Sequence, residues 1–374
     1  MPSSARRAAG ANLPQVRDHN TALVLDLVRR GGAISRVELA AQSGLTAQAI
    51  TKIVQRLQAD GLVTDAGRTG STGGKPRTLL RLDPTARYAV GVHLDRDDTT
   101  VVLTDLTAQK VTRHHLPHGM TGDPAGTLDR VADAVRAVVT GIADTSRLVG
   151  VGIACPGPLD HTTGVLHRVT GLPQWNGYRL GAEAADRLGV PVIVDKDTNA
   201  AALGQTLSVP DGPNDFAYLY HGRGLGAGLV LGGRVYRGRR TNAGEFGHQV
   251  LDLNGPPCRC GNRGCLEALS RAALDTGDPA HAAHLVGIAA ANLIHLLDID
   301  HIVAGGPVVL TDPEQYLSQV ATTINALLPE PDWQRISVTL AADPTDAIAT
   351  GAAALALAPL FDTATTDTGA DRAA

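Results

Sequence analysis

Three of the four cysteines fall in one short loop, Cys258-Arg259-Cys260-Gly261-Asn262-Arg263-Gly264-Cys265, with His248 a short way upstream. Zinc takes four nitrogen or sulfur ligands in a tetrahedron, and His248, Cys258, Cys260 and Cys265 supply such a Cys₃His set. No other feature constrains the chain as strongly, because a metal fixes four side chains at one point. Gly261 and Gly264 lie inside the loop, where a backbone wrapped round an ion needs φ values that other residues disfavour. Protein fills all four positions, so the centre reads as structural and not hydrolytic. The alternative is one disulfide and a spare thiol. Met1 to Ala11 has no apolar core of the kind a secretory leader carries, so a cytoplasmic, reducing setting is expected, and clustered thiols there favour metal. Cys155, which ends an apolar run, reads as a small buried hydrophobe.

Glu245 precedes His248 by three residues, and Glu267 follows the last cysteine of the loop. With their backbones fixed by the knuckle, these two carboxylates and His248 can present acceptors to one polyhydroxylated ligand; the alternative is a pair of solvated glutamates. The string Ala243-Gly244-Glu245-Phe246-Gly247-His248, followed by C-x-C-G-x-x-G-C-L-E, resembles the signature of the ROK family, which groups sugar-responsive repressors with sugar kinases. The resemblance runs from residue 19 to about residue 357. It implies an α/β fold, a two-lobed actin-like ATPase (ribonuclease H-like) body with a zinc knuckle. In that body His248, Cys258, Cys260 and Cys265 hold Zn2+, and Glu245, Glu267 and His248 contact the sugar.

The formal net charge is −4, and taken whole it argues against nucleic acid. Its distribution reverses that: residues 1–82 carry +7 and the remainder −11. A basic head on an acidic body is the footprint of a DNA-binding module joined to something else. Apolar residues at Leu23, Val24, Leu27 and Val28 predict a helix over residues 19–30. Ser35-Arg36-Val37-Glu38 is a capping box that opens a second helix. Gly44 turns the chain into a third, running to about Asp60 with Ile50, Ile53, Val54 and Leu57 on its apolar stripe. Two helices joined by a short Gly-containing turn are a helix-turn-helix. Thr46, Gln48, Thr51, Lys52 and Arg56 then face DNA, with Gln48 reading a base and Lys52 and Arg56 holding phosphate. A hairpin closing at 78–82 carries the tip Arg68 to Arg77, whose Lys75 and Arg77 suit a narrow minor groove; a plain linker is the alternative. ROK repressors show a similar wing.

In the body, strands are expected at 89–94, 99–105, 148–154, 190–194, 216–220, 229–231, 302–306 and 336–340, and helices at 124–142, 279–297 and 347–357. No apolar run approaches the ~20 residues of a membrane span. Asp195-Lys196-Asp197-Thr198-Asn199 follows a buried strand, at the end where α/β proteins place ligands. The family's kinases read E-N-D-A-N here, so Asp197 matches their catalytic base, while Lys196 replaces an asparagine that binds sugar. The resemblance also implies Gly157 and Thr170 as ligand contacts; Trp175, nearby, belongs to that loop or anchors the core.

The kinases' first phosphate turn, D-x-G-G-T, has become His93-Leu94-Asp95-Arg96-Asp97. Acidic side chains there repel nucleotide, and the lost glycines block close approach. Gly222 to Gly228 resembles the second phosphate turn, with Arg223 in place of threonine. No catalytic residue is therefore assigned, and a sugar-responsive regulator is expected. An ATP-dependent sugar kinase with an added DNA-binding head, or a DNA-binding protein with a vestigial pocket, are the alternatives. The expected organisation is a flexible tail over 1–18, a winged helix-turn-helix over 19–82, a sugar-binding body of two lobes over 83–361 and a disordered tail over 362–374. Operator DNA, a sugar or sugar-derivative effector and a second copy of the chain, as a homodimer or tetramer, are the expected partners.

Overall fold

The computed structural model describes residues 13–68, 76–328 and 335–361, with side chains from residue 16. The described residues form two compact units, one drawn from residues 13–87 together with 357–361, the other from residues 88–356.

In the first unit, α1 (Leu13–Gly31) begins within the stretch expected as a tail, since its periodicity reaches back past His19. β1 (Ile34–Ser35) leads into α2 (Arg36–Ser43). Ser35 caps α2 reciprocally with Glu38, and the serine bonds hold the Glu38 carboxyl below its usual range. Gly44, at φ 70, ends α2 in the left-handed conformation that glycine tolerates. α3 (Ala47–Ala59) follows, capped by Thr46, and buries Ile50, Ile53, Val54 and Leu57 as its spacing requires. β2 (Val63–Arg68) and β3 (Thr78–Leu82) form the hairpin, and β1 pairs with β3. That third strand was not foreseen, because a two-residue strand has no periodicity to read. Val24, Leu25, Val28, Leu39 and Leu80 complete the core. Lys75 lies outside the described residues. Leu357–Phe361, expected to close the body, belongs to this unit, where Arg29 stands 5.5 Å over the Phe361 ring.

The second unit repeats one motif. β4 (Tyr88–Leu94), β5 (Thr99–Asp105) and β6 (Lys110–Leu116) are antiparallel. After α4 (Pro124–Val139), β7 (Leu148–Cys155) returns parallel to β4. The small hairpin of β8 (Leu159–Asp160) and β9 (Val165–Leu166) comes next, then α5 (Leu180–Leu188) and β10 (Val192–Lys196), parallel to β7. α6 (Asp197–Ser208) leads to the second lobe. There β11 (Phe216–His221), β12 (Leu225–Leu231) and β13 (Arg234–Val235) are antiparallel. α7 (Leu266–Asp275) and α8 (Pro279–Leu297) precede β14 (His301–Gly305), which is parallel to β11. α9 (Pro307–Thr311), α10 (Pro313–Leu327), β15 (Ser337–Leu340) and α11 (Ala347–Phe361) complete the chain. The sheets run β6-β5-β4-β7-β10 and β13-β12-β11-β14-β15, the same order twice.

Each lobe has its own apolar core, and a third cluster, including Ala154, Ala200, Phe216, Tyr218, Val303 and Ala352, joins them. α11 lies so close to the first sheet that a Cβ on Gly91 would meet the Ala349 carbonyl, and one on Gly152 that of Ala352. α8 corrects the membrane expectation: it is long and apolar enough to span, with half of its apolar window buried. Its alanine-rich composition suits an interior helix, and Ala283, Val286, Ala290 and Ile294 pack inside.

Candidate functional site

Backbone geometry at the end of β10 sets one wall. Asp195, 1% exposed, accepts hydrogen bonds from the Lys196 amide (2.8 Å), Asn199 Nδ2 (2.9 Å) and Arg237 Nε (2.7 Å). It thereby fixes the first turn of α6, and Arg237 supplies the counter-charge its buried carboxylate needs. Lys196, also buried, donates from Nζ to the Ala243 carbonyl (3.1 Å) and to Glu245 Oε1 (2.6 Å). Its methylene groups lie 3.4 Å from where a Cβ on Gly157 would stand, so Gly157 packs against the lysine stem. Asp197 accepts from the Thr198 amide at 2.7 Å, and burial pushes its carboxyl up to about 6 against the pull of His93 and Lys196. Thr198 Oγ1 and Asn199 Oδ1 are buried with no hydrogen-bond partner among the described residues.

The opposite wall is the loop from Arg237 to His248. Gly244, at φ 80, abuts the Ala227 carbonyl so closely that no side chain fits, and its own carbonyl accepts from the Ala227 amide at 2.9 Å. Thr241, buried in the left-handed region at φ 57, meets the His161 ring at 2.7 Å. His161 Nδ1, Arg237 and Thr241 were not singled out from sequence. Their partners are 42 to 80 residues away, and no local pattern records such pairings.

Glu245 and Glu267 are joined to the thiolate loop as their spacing suggests. His248 turns Nδ1 towards Cys258 Sγ (3.7 Å) and Nε2 towards Glu245 Oε2 (3.9 Å). At 3.9 Å the Glu245 carboxylate stands near the imidazole without a hydrogen bond to it. Glu267 sits in the first turn of α7, a helix the sequence reading did not foresee, and accepts from the Leu225 amide at 3.2 Å. Leu225 in turn abuts Gly247, so Glu267 and the Glu245 loop converge on the start of β12.

The four candidate ligand atoms of His248, Cys258, Cys260 and Cys265 all lie within 4.8 Å of one another. Cys260 and Cys265 are 3.7 Å apart, matching the ~3.8 Å edge of a tetrahedron built on ~2.3 Å metal–sulfur bonds. All four cysteines are free, so the disulfide alternative is set aside. Burial and the neighbouring thiols push Cys265 up to about 12, and a cation would displace that proton. The donor set and spacing fit a closed tetrahedral ion.

The turn between β4 and β5 is tied to the turn between β11 and β12. Asp97 of the first pairs with Arg223 of the second. Tyr220 lies under Gly222, close to Asp95 and Asp197, and burial raises its phenol well above the usual range. A cavity of about 190 Å³ remains between the Gly222–Leu225 turn and α7, lined by Arg223, Glu267, Ser270 and Arg271. His221 braces it: neutral because burial lowers it to about 4, it meets Tyr316 Oη (2.8 Å) and Ser270 Oγ (2.9 Å). Trp175 is fully buried, its Nε1 donating to the Met120 carbonyl, and so belongs to the core. Thr170 is half-buried on the adjoining loop.

On α3, Gln48, Thr51 and Lys52 are exposed and Arg56 is half-buried. Thr46 and Thr51 turn their hydroxyls to the helix backbone, accepting from Ala49 and donating to Ala47 respectively. Gln48 and Lys52 are left facing outward, as the recognition reading requires.

Asp197→Asn is expected to stabilise the protein by about 1–2 kcal/mol at pH 7.5, a discounted share of the ~1.4 kcal/mol per pKa unit. The folded value, about 6, exceeds the unfolded one, so the charged carboxylate opposes folding above pH 6 and that penalty fades as pH falls towards 4. Urea titrations at both ends measure it; an equal gain at pH 4 and pH 7.5 would contradict the assignment.

The ROK family sequence model matches residues 89–276, and that of the MarR family residues 18–70. The xylose repressor of Bacillus spizizenii is 30% identical over 67% of this chain and 65% of its own length. The Escherichia coli dual regulator NagC is 30% identical over 69% of this chain and 64% of its own. The chain thus spans just under two thirds of these curated relatives. Among solved structures, a ROK transcriptional regulator homologous to E. coli Mlc superposes with a TM-score of 0.74 at 24% identity, over 93% of this chain and 98% of that one. A ROK hexokinase from Thermus thermophilus gives 0.58 at 29%, over 71% and 97%.

Proposed function

The chain belongs to the ROK family, and on that premise we propose that it is a sugar-responsive transcriptional regulator, acting as a repressor of carbohydrate-metabolism genes. The observation that carries this reading is the union in one chain of a winged helix-turn-helix with a body in which Lys196, at the end of β10, joins Glu245 of the loop that leads to the Cys₃His cluster. Relatives named as xylose and N-acetylglucosamine repressors support it. Operator DNA meets α3, with Gln48 at a base edge and Lys52 and Arg56 on phosphates. The sugar lies against Gly157, Thr170, Lys196, Asp197, Glu245, His248 and Glu267. Zn2+ held by His248, Cys258, Cys260 and Cys265 supplies a rigid cross-link and no chemistry. A homodimer presents two heads to two half-sites, and effector binding shifts the balance between arrangements of those heads. The cytoplasm is the setting this role requires.

The chain's own residues divide the work. Asp195 and Arg237 hold α6 and the loop in register, Lys196 orients Glu245, and Glu245, Glu267 and Asp197 accept from sugar hydroxyls. Thermal shift against hexoses, pentoses, N-acetylated sugars and their phosphates tests the reading, followed by titration of operator DNA with and without the sugar that shifts. A specific sugar raises the melting temperature and alters DNA affinity; absence of any shift across the set refutes it. Sugar kinase activity is the second reading, favoured by Asp197, which at about 6 is suited to act as a base. Turnover of ATP and a hexose in a coupled assay would establish it.

For the head, Lys52→Ala is expected to weaken all DNA sequences alike and to reduce the salt dependence by about one ion. Gln48→Ala is expected to cost about 1–3 kcal/mol at one base position and to relax specificity there. Fluorescence anisotropy at three salt concentrations, on operator and scrambled duplexes, separates the two.

A further inference from the structure

We propose that Arg96 is an anion-recognising residue of the effector site, so that the effector is a sugar carrying a phosphate or carboxylate group; this rests on the sugar-binding reading above. Arg96 stands in the turn between β4 and β5. Its amide donates to Asp95 Oδ1 at 2.7 Å, and its carbonyl accepts from Thr121 at 3.0 Å. Gly119 backs that carbonyl so closely that a Cβ there would lie 2.7 Å from it. The backbone of the turn is therefore clamped.

The Arg96 side chain runs to Gly171, where Nη1 lies 3.4 Å from where a Cβ would stand. Gly171 follows Thr170, a proposed sugar contact, and Asp95, the other neighbour of Arg96, is near enough to Asp197 to influence its ionisation. The guanidinium is thus set beside the loop that carries Thr170.

The other cations of the cleft have partners. Lys196 has Glu245, Arg237 has Asp195 and Arg223 has Asp97. Arg96 is half-buried, and among the described residues its guanidinium has no acceptor. A guanidinium carries five donors in a planar fork that matches carboxylate or phosphate two bonds at a time. Asp95, Asp97 and Asp98 line the same turn and disfavour a free anion. An anion delivered by a sugar already held at Asp197, Glu245 and Glu267 meets Arg96 without that diffusional penalty.

The test is calorimetric titration of the full chain with matched series. Glucose, N-acetylglucosamine and xylose are each compared with their terminal phosphate and with the corresponding uronic or aldonic acid, and inorganic phosphate serves as control. In the series that binds, a charged member is expected to bind about 30-fold more tightly than its neutral parent, in keeping with a charge-assisted bidentate pair. Whether the phosphate or the carboxylate shows the gain distinguishes the two sources. The Arg96→Gln protein is expected to bind charged and neutral members alike, with Arg96→Lys recovering part of the preference. Equal or tighter binding of the neutral parent, or a preference that survives Arg96→Gln, overturns the proposal and leaves the sugar-regulator reading intact. No binding in any series overturns both. Since the guanidinium supports no other side chain, the ligand-free melting temperature of Arg96→Gln should match wild type, and a fall of several degrees would assign Arg96 a structural role instead.

Discussion

Stripping the cation with a chelator, or replacing Cys260 by serine, is expected to lower the melting temperature by about 10 °C and to abolish effector binding. The reasoning begins at the loop. Residues 249–265 contribute few apolar side chains to the second core, and the loop is held by a handful of backbone bonds, such as Leu251 to Gly264 (2.9 Å) and Cys258 to Asn262 (2.8 Å). Leu253 is largely exposed, and the Asp252 carbonyl packs against Gly264. Take away the cross-link and the loop has little to resist its own conformational entropy, which at ~1–2 kcal/mol per residue exceeds what those bonds return. Metal sites of this kind contribute folding energy outright, and a loss of about 3–5 kcal/mol at ~2–4 °C per kcal/mol gives the stated shift. The helix-turn-helix draws on its own core, so non-specific DNA affinity should persist. Scanning calorimetry with and without chelator, beside metal analysis giving one zinc per chain, is the check. An unchanged transition after complete metal removal would show that the cluster is dispensable.

The second large effect concerns the two glutamates. Glu267→Ala and Glu245→Gln are each expected to weaken the effector about 100-fold, since hydrogen bonds to a charged group contribute ~1.5–3 kcal/mol each. They should differ in what else they disturb. Glu267 accepts from the Leu225 amide, so its loss frees the start of β12. Glu245→Gln keeps the shape but removes the ion-pair partner that buried Lys196 holds at 2.6 Å, which lowers stability as well. Restoring neutrality with Lys196→Met in the Glu245→Gln background should recover the melting temperature and not the affinity. Ligand-free operator binding should match wild type in all three proteins. Wild-type effector affinity in Glu267→Ala would remove that residue from the site.

The head was legible because its signals are local. A capping box, a Gly-containing turn and an apolar stripe at 50, 53, 54 and 57 each involve residues within one or two helical turns, and the structure has all three. The edge strand β6 was missed for the opposite reason: Lys110-Val111-Thr112-Arg113-His114-His115 is exposed nearly throughout, so it has no buried face to alternate against. α7 was missed because the metal loop runs straight into it, Cys265 serving as cap residue and Glu267 already lying in the first turn. A pattern that announces a ligand conceals a helix.

What the sequence alone determined is the set of groups whose chemistry depends on spacing along the chain: the Cys₃His donors, the carboxylates tethered to them, the helix-turn-helix, and the acidic residues of the turn between β4 and β5. What only the tertiary structure decided is how charges are matched. Lys196 with Glu245, Asp195 with Arg237, Asp97 with Arg223, and Arg96 with no acceptor among the described residues, are outcomes of bringing strands and loops far apart in sequence to one cleft. Attraction between charges acts through space and falls with distance there, so a linear order of residues carries no record of it until the chain has folded.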